Sequence, residues 1–383
     1  MIIEREIKRD IEKNLFKGKA IVIYGPRRVG KTTLVKDIIS KYGEEAKYIN
    51  CDVLENRQAL EIQDDKKLRK FLGEGKIFVI DEAQRVVDIG LSLKILIDSF
   101  PDIQIIATGS SSFDLANRIN EPLTGRTISF ILYPISIKEI KRYKESASGG
   151  EGFDFEKLLP ELLRFGSYPE IVSEKAEDKI QYLKEISGNY LFKDIFEFEG
   201  VKRPEILVKL LQLLAFQVGK EVSYNELAVK LEVNRDTVVR YIDLLEKAFV
   251  VFRLPPFARN LRNEIGKKNK IYFYDLGIRN AIISAFNAPE EREDLGALWE
   301  NFCIIERFKF LQSSNLYRNV YFWRTRDKKE IDYVEEYDGR LYGYELKWGQ
   351  GKYKMPESFL SEYKNSSVVL VNRSNAKEFL GII

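Results

Sequence analysis

From residue 20 to about 131, short apolar runs alternate with longer stretches of helical period. The runs AIVIYG, AKYINC, KIFVID, DIQIIATGS and RTISFIL read as strands. Between them the apolar positions recur at helical spacing over 31–41, 65–73, 91–99 and 111–118. Such alternation predicts a parallel sheet flanked by helices, with ligands at the carboxyl ends of its strands. From Ile135 to about Gly200 the pattern turns helical, broken at SASGGEG and GSYPE, and 203–218 forms a further amphipathic helix.

The stretch VSYNELAVKLEVNRDTVVRYIDLLEKAFVVFRL then predicts two helices joined by the turn EVN. Ser223 caps the first, with Glu226 three residues later in capping-box spacing. The second runs over 235–247 with Val238, Ile242 and Leu245 on its apolar face, leaving Asp236, Thr237, Arg240 and Asp243 outside. This is helix-turn-helix spacing, and FVVFRL with KIYFY supplies a hairpin for a wing. The second helix carries three basic and three acidic residues, whereas RNLRNEIGKKNK between the hairpin strands carries five basic residues and one acid. Phosphate contacts by the wing would bind DNA; a protein-interaction or packing module is the other reading. The last third predicts a helix at 296–312, the strands VYFWRT, EIDYVEE and LYGYELKW, a helix at 354–364 and the strand SVVLVN.

Composition narrows the chemistry. The 383 residues are 44% hydrophobic and 32% charged, enough for several soluble domains. Net charge is +3, so a nucleic-acid site must be a local patch. Cys51 and Cys303 are the two cysteines, and they read as buried small hydrophobes in a reducing cytosol. No apolar run approaches the ~18 residues of a membrane span, which predicts a cytosolic chain. The sequence contains no histidine, which removes Ser-His-Asp and Cys-His catalysis and the usual zinc sites. A metal would have to be held by carboxylates, hydroxyls and phosphates, which favours Mg²⁺ or Mn²⁺.

The segment GPRRVGKTT, following the first strand, has the spacing of a phosphate-binding loop. Gly25, Pro26, Arg27, Arg28, Val29, Gly30, Lys31, Thr32 and Thr33 would cradle the phosphates of a nucleotide. Lys31 would reach the β- and γ-phosphates, and the Thr32 hydroxyl would ligate Mg²⁺. The third strand ends in Asp81-Glu82: Asp81 would help hold Mg²⁺ and Glu82 would polarise the attacking water. The next strand ends in ATGSSS, where Thr108 or Ser110 would contact that water or the γ-phosphate and Ser111 would cap the following helix. Arg126, opening the fifth strand, is either an arginine finger, in cis or from a neighbouring copy in a homo-oligomer, or half of a structural salt bridge.

Taken in order, GPRRVGKTT, IDEAQR, TGSSS, TGR and LYPIS resemble the archaeal and bacterial AAA-type ATPases of the P-loop superfamily, and the likeness continues into FGSYPEI at 165–171. The resemblance implies ATP as the nucleotide, a five-stranded parallel α/β core over 1–134 and a helical lid over 135–200. A winged-helix domain over 201–270 is expected to follow. Over 271–383, helix, three strands, helix and strand, with Asp332 on the second strand and Glu345-x-Lys347 on the third, resemble the PD-(D/E)XK nuclease fold. That likeness implies Asp332 and Glu345 as ligands of Mg²⁺ or Mn²⁺, Lys347 as the catalytic lysine and Glu300 as an auxiliary acid, acting on DNA. The aspartate sits in EID, without the proline that names the motif. Two functions follow: an ATPase coupled to DNA processing, or a nucleotide-controlled switch whose C-terminal domain only binds.

Overall fold

The computed structural model describes residues 3–109, 123–148, 152–173, 176–190, 201, 203–257, 268–325, 327–349 and 356–382. The expected helix at 111–118, Ser110, Ser111 and most of the wing segment lie outside the described residues. The chain divides into two compact units, one of residues 1–133 with 247–249 and the other of 134–246 and 250–383. The sequence-expected boundaries at 200 and 270 fall inside the second unit.

The first unit is built on five strands: β1 (Ala20–Tyr24), β2 (Ala46–Asn50), β3 (Ile77–Asp81), β4 (Gln104–Gly109) and β5 (Thr127–Ile131). They form one parallel sheet in the order β2-β3-β4-β1-β5. Around it run α1 (Ile7–Lys13), α2 (Lys31–Ile39), α3 (Leu54–Leu60), α4 (Asp65–Leu72) and α5 (Ile89–Ser99). Every residue of β1, β3 and β4 is buried, which is why these strands read as unbroken apolar runs. On one face Ile21, Ile23, Val79 and Ile106 pack against Leu34, Val35 and Ile38 of α2. That packing fixes the start of α2, and so the loop before it, at the carboxyl edge of β1.

The second unit begins with α6 (Ile137–Ser148), α7 (Phe155–Phe165), α8 (Pro169–Ser173) and α9 (Ala176–Glu185). Next come α10 (Pro204–Phe216), α11 (Tyr224–Leu231), α12 (Arg235–Lys247) and the antiparallel pair β6 (Val251–Leu254) and β7 (Lys270–Phe273). The remainder is α13 (Leu276–Ile282), α14 (Leu295–Ser313), β8 (Asn319–Arg324), β9 (Glu330–Tyr337), β10 (Arg340–Leu346), α15 (Glu357–Glu362), β11 (Ser366–Val371) and α16 (Ala376–Phe379). The last four strands form a sheet in the order β11-β10-β9-β8, with β10 and β11 parallel and the other pairs antiparallel. Of the helix expected at 354–364, residues 354 and 355 lie outside the described residues, and α15 follows Pro356.

Sequence-distant segments of this unit are joined by buried polar contacts. Asp275 caps α13, accepting from Ile278 N at 3.1 Å, and its other oxygen accepts from Ser167 N at 2.7 Å. Asn280 donates to the carbonyls of Leu163 and Arg164, both at 2.9 Å. Gly166 has φ +70°, and a Cβ there would run into the Asp275 carboxylate. The FGSYPE motif is therefore a joint between α7 and α13. A second joint comes from α14: Lys309 Nζ donates to Ile135 O and Ser167 Oγ, both at 3.2 Å, and Glu306 accepts from Ile137 N at 2.8 Å. The hairpin is also sewn to the sheet. Beyond β6, Phe322 N donates to Pro255 O at 3.0 Å, and Pro256 bridges Phe322.

Candidate functional sites

The loop 25–30 departs from ordinary backbone where it must curve. Gly25 and Gly30 have φ 152° and 96°, and Arg28, which has a side chain, also sits at φ 59°. A Cβ on Gly25 would strike the carbonyl of Leu132, the residue just past β5, so only glycine permits this turn there. Gly30 leads directly into α2, whose first residues, Lys31 and Thr32, are thereby aimed back over the loop. Lys31 is buried, and its ammonium donates to the carbonyls of Gly25 and Pro26, both at 2.8 Å. Those carbonyls hold the charge where phosphate oxygens would take it over.

Across from the loop, the Thr32 hydroxyl donates to Asp81 Oδ2 at 2.8 Å. Tyr48 donates to the same oxygen, and Thr108 donates to Oδ1. The Thr108 hydroxyl in turn accepts from Glu82 N at 3.3 Å, and Gln84 holds Glu82 Oε2 at 2.5 Å. The sequence-expected residues Lys31, Thr32, Asp81, Glu82 and Thr108 are thus connected at one edge of the sheet. A hydroxyl and a carboxylate side by side suit Mg²⁺, which takes few protein oxygens and keeps several waters. Burial and the Asp81 charge raise the Tyr48 phenol well above its ordinary value, so it stays a donor.

Two residues of this site carry no motif. Tyr48 is one; the other is Arg5, a buried guanidinium that donates to Val29 O at 2.8 Å and Tyr133 O at 2.5 Å, bracing the loop from behind. Of the two readings of Arg126, the finger and the salt bridge, its place within its own chain bears on both. Its carbonyl accepts from Ala20 N at 2.9 Å, at the start of β1, whereas the phosphate loop leaves the other end of that strand. The five residues between put it about 16 Å away along the sheet. Its guanidinium pairs with Asp98 at 2.7 Å, both side chains exposed. Within its own chain Arg126 belongs to a surface ion pair, not to the nucleotide site.

Residues 17–141 match a family described as an AAA domain. The chain carries an AAA-type, P-loop ATPase-like domain. Residues 156–289 and 295–382 match two families each described as a domain of unknown function, DUF8612 and DUF4143. An uncharacterized protein of Mycobacterium tuberculosis is 29% identical over 352 residues, covering 91% of this chain and 74% of that protein. One from Methanocaldococcus jannaschii is 28% identical over 344 residues, covering 86% of this chain and 74% of its own length. Among solved structures, the Walker-type ATPase of Pyrococcus abyssi superimposes with a TM-score of 0.53 at 16% identity, covering 74% of this chain and 96% of its own, a likeness of fold.

The C-terminal candidates also converge. One step beyond the Tyr333–Tyr344 pair, Glu345 stands opposite Asp332. Leu346 N donates to Asp332 Oδ2 at 3.0 Å, and the Lys347 ammonium lies 2.7 Å from Glu345 and 3.8 Å from Asp332. Glu300 on α14 reaches the same cluster, accepting from Lys270 at 2.9 Å and from the Tyr272 hydroxyl. Burial first, then the Asp332 charge, push both Glu300 and Glu345 up to about 7. Burial disfavours charge on Lys347, but Asp332 and Glu345 outweigh it and raise its pKa. Among the described residues, no three His, Cys, Asp or Glu side chains are placed to hold a metal ion. The sequence reasoning missed this role of Lys270, which opens the strand run KIYFY and counts with the basic residues of the wing segment.

In the helix pair α11–α12, Ser223 Oγ accepts from Glu226 N at 3.4 Å and Asn234 Oδ1 accepts from Thr237 N at 2.7 Å. Val238, Ile242 and Leu245 are buried as expected. Arg253 of β6 pairs with both Asp243 and Glu246. Those pairs neutralise two of the acids on α12 and leave Arg235, Asp236 and Arg240 exposed. Among the described residues, no helix is long and apolar enough to cross a membrane.

Proposed function

We propose that the protein is a Mg²⁺-dependent ATPase of the reducing cytosol whose nucleotide state controls DNA binding. The observation that carries the ATPase reading is the linked arrangement of Lys31, Thr32, Asp81 and Glu82 around one glycine-bounded loop. In this reading Lys31 releases the Gly25 and Pro26 carbonyls to hold the β- and γ-phosphates. Thr32 and Asp81 would hold Mg²⁺, which would screen the phosphate charge. Glu82 orients a water for attack on the γ-phosphorus, and the bond to the bridging oxygen breaks to give ADP and inorganic phosphate.

DNA contact is assigned to a winged-helix module made of α11, α12 and the β6–β7 hairpin. Its support is the capped helix pair, the internal neutralisation of Asp243 and Glu246 by Arg253, and the four basic residues Arg259, Arg262, Lys267 and Lys268 that remain in the wing segment once the buried Lys270 is set aside. Of the two expected roles for the C-terminal cluster, the catalytically silent one is favoured by the lysine that sits among its carboxylates. Four proteins test the whole reading: wild type, Lys31→Ala, Glu82→Gln and the double variant. Lys31→Ala should lose ATP binding and turnover. Glu82→Gln should bind ATP normally, hydrolyse it about 100-fold more slowly or worse, and hold duplex DNA at the affinity of the ATP state. Equal loss of binding in both single variants would remove the role given to Glu82. An E82Q protein whose DNA affinity is the same with ATP and ADP would remove the coupling.

A further inference from the structure

We propose that Lys270 is the resident cation of the C-terminal carboxylate cluster and keeps that site closed to a divalent metal. Its ammonium lies 2.5 Å from Glu330, 2.9 Å from Glu300 and 3.6 Å from Asp332, and its side chain is 2% exposed. Three carboxylates, from α14 and β9, therefore surround one ammonium whose three protons can each serve one of them. A magnesium ion in that space would need oxygen ligands at about 2.0–2.1 Å in near-octahedral geometry. The ammonium already stands there.

Most of the neighbouring oxygens already face a cation or a donor. Asp332 Oδ1 faces Lys270, while Oδ2 accepts from Leu346 N and faces Lys347. Glu345 Oε1 pairs with Lys347, and Glu345 Oε2 is buried with no hydrogen-bond partner. One orphaned oxygen is a single ligand, not a metal site. Lys270 is also anchored against withdrawal: its backbone pairs with Leu254 and bridges Glu221, which itself pairs with Arg324 at 2.6 Å. The lysine thus belongs to the hairpin and its countercharges to α14 and the sheet. The cluster is an ionic joint between them, and breaking one side of such a buried joint leaves uncompensated charge. This inference is independent of the ATPase reading.

Electron paramagnetic resonance of free Mn²⁺, titrated into nucleotide-free full-length protein, decides the point. Wild type and Asp332→Asn should bind Mn²⁺ alike, because the cluster contributes no site. Lys270→Met should gain one site, at least about tenfold tighter than any cluster binding in wild type, since removal of one full charge from three carboxylates exceeds the ~1.4 kcal/mol equivalent to that factor. Adding Asp332→Asn to Lys270→Met should abolish the gain. Wild-type Mn²⁺ binding that disappears in Asp332→Asn or Glu345→Gln would overturn the proposal. So would a folded Lys270→Met protein that binds no more Mn²⁺ than wild type. If Lys270→Met fails to fold, the comparison of wild type with Asp332→Asn still decides it.

Discussion

The chemistry of single side chains divides sharply by whether a motif announces them. Lys31, Thr32, Asp81 and Glu82 were legible because the phosphate loop fixes their spacing and a strand end marks the acids. Tyr48, Arg5 and Lys270 were not, because one polar residue beside an apolar run has the same pattern whether it is solvated or buried. Asp332 lies between these cases. Val334 pairs with Tyr321 but Ile331 with Trp323, so β9 carries one extra residue here, and alternation alone does not give the direction of Asp332. The buried acids have a consequence for pH. Glu300 and Glu345 titrate near 7 in the folded chain against about 4.5 when unfolded, so the folded state binds protons more tightly. The stability they contribute is complete below about pH 4.5 and is lost as pH rises through about 7. Urea unfolding of the second unit between pH 5 and 8 should show that decline, and Glu345→Gln should flatten it. A stability that rises with pH over this interval, with the same slope in both proteins, would contradict the assignment.

Strands and helices were read more securely than their partners. The five parallel strands and the helix pair around Asn234 follow from periodicity and capping, both of which are local. What periodicity could not show is that β6 continues onto Phe322, or that α13 is capped by the residue that also receives Ser167 N. Such contacts join positions more than sixty residues apart, and nothing local in the chain specifies them. The α7–α13 joint gives a direct test. Gly166→Ala forces a side chain into left-handed backbone and against Asp275, so the second unit should lose about 2 kcal/mol or more. Thermal unfolding measures it, and a melting temperature within a degree of wild type would mean that Asp275 yields easily. ATP affinity, set by the other unit, should be unchanged.

For the molecule as a whole, the position of Arg126 bears on assembly. Because it lies at the end of the sheet away from the loop and faces Asp98, Arg126→Ala should keep at least half of wild-type ATP turnover, an exposed pair contributing about 0–1 kcal/mol. A large loss that is restored by mixing with Lys31→Ala protein would instead show it reaching the nucleotide of a neighbouring copy. The joint made by α14 reaches further. Lys309 and Glu306 lie in the stretch matched by one family, 295–382, yet their buried partners lie in the stretches matched by two others, Ile135 and Ile137 at the end of 17–141 and Ser167 within 156–289. A gene fusion that exchanged only the terminal segment for a relative's would leave the Ile135 carbonyl, the Ser167 hydroxyl and the Ile137 N–H without counterparts unless the new helix supplied an ammonium and a carboxylate. Recombination between relatives is therefore expected to carry residues 134–382 together, so that the heritable block is larger than either family drawn from sequence.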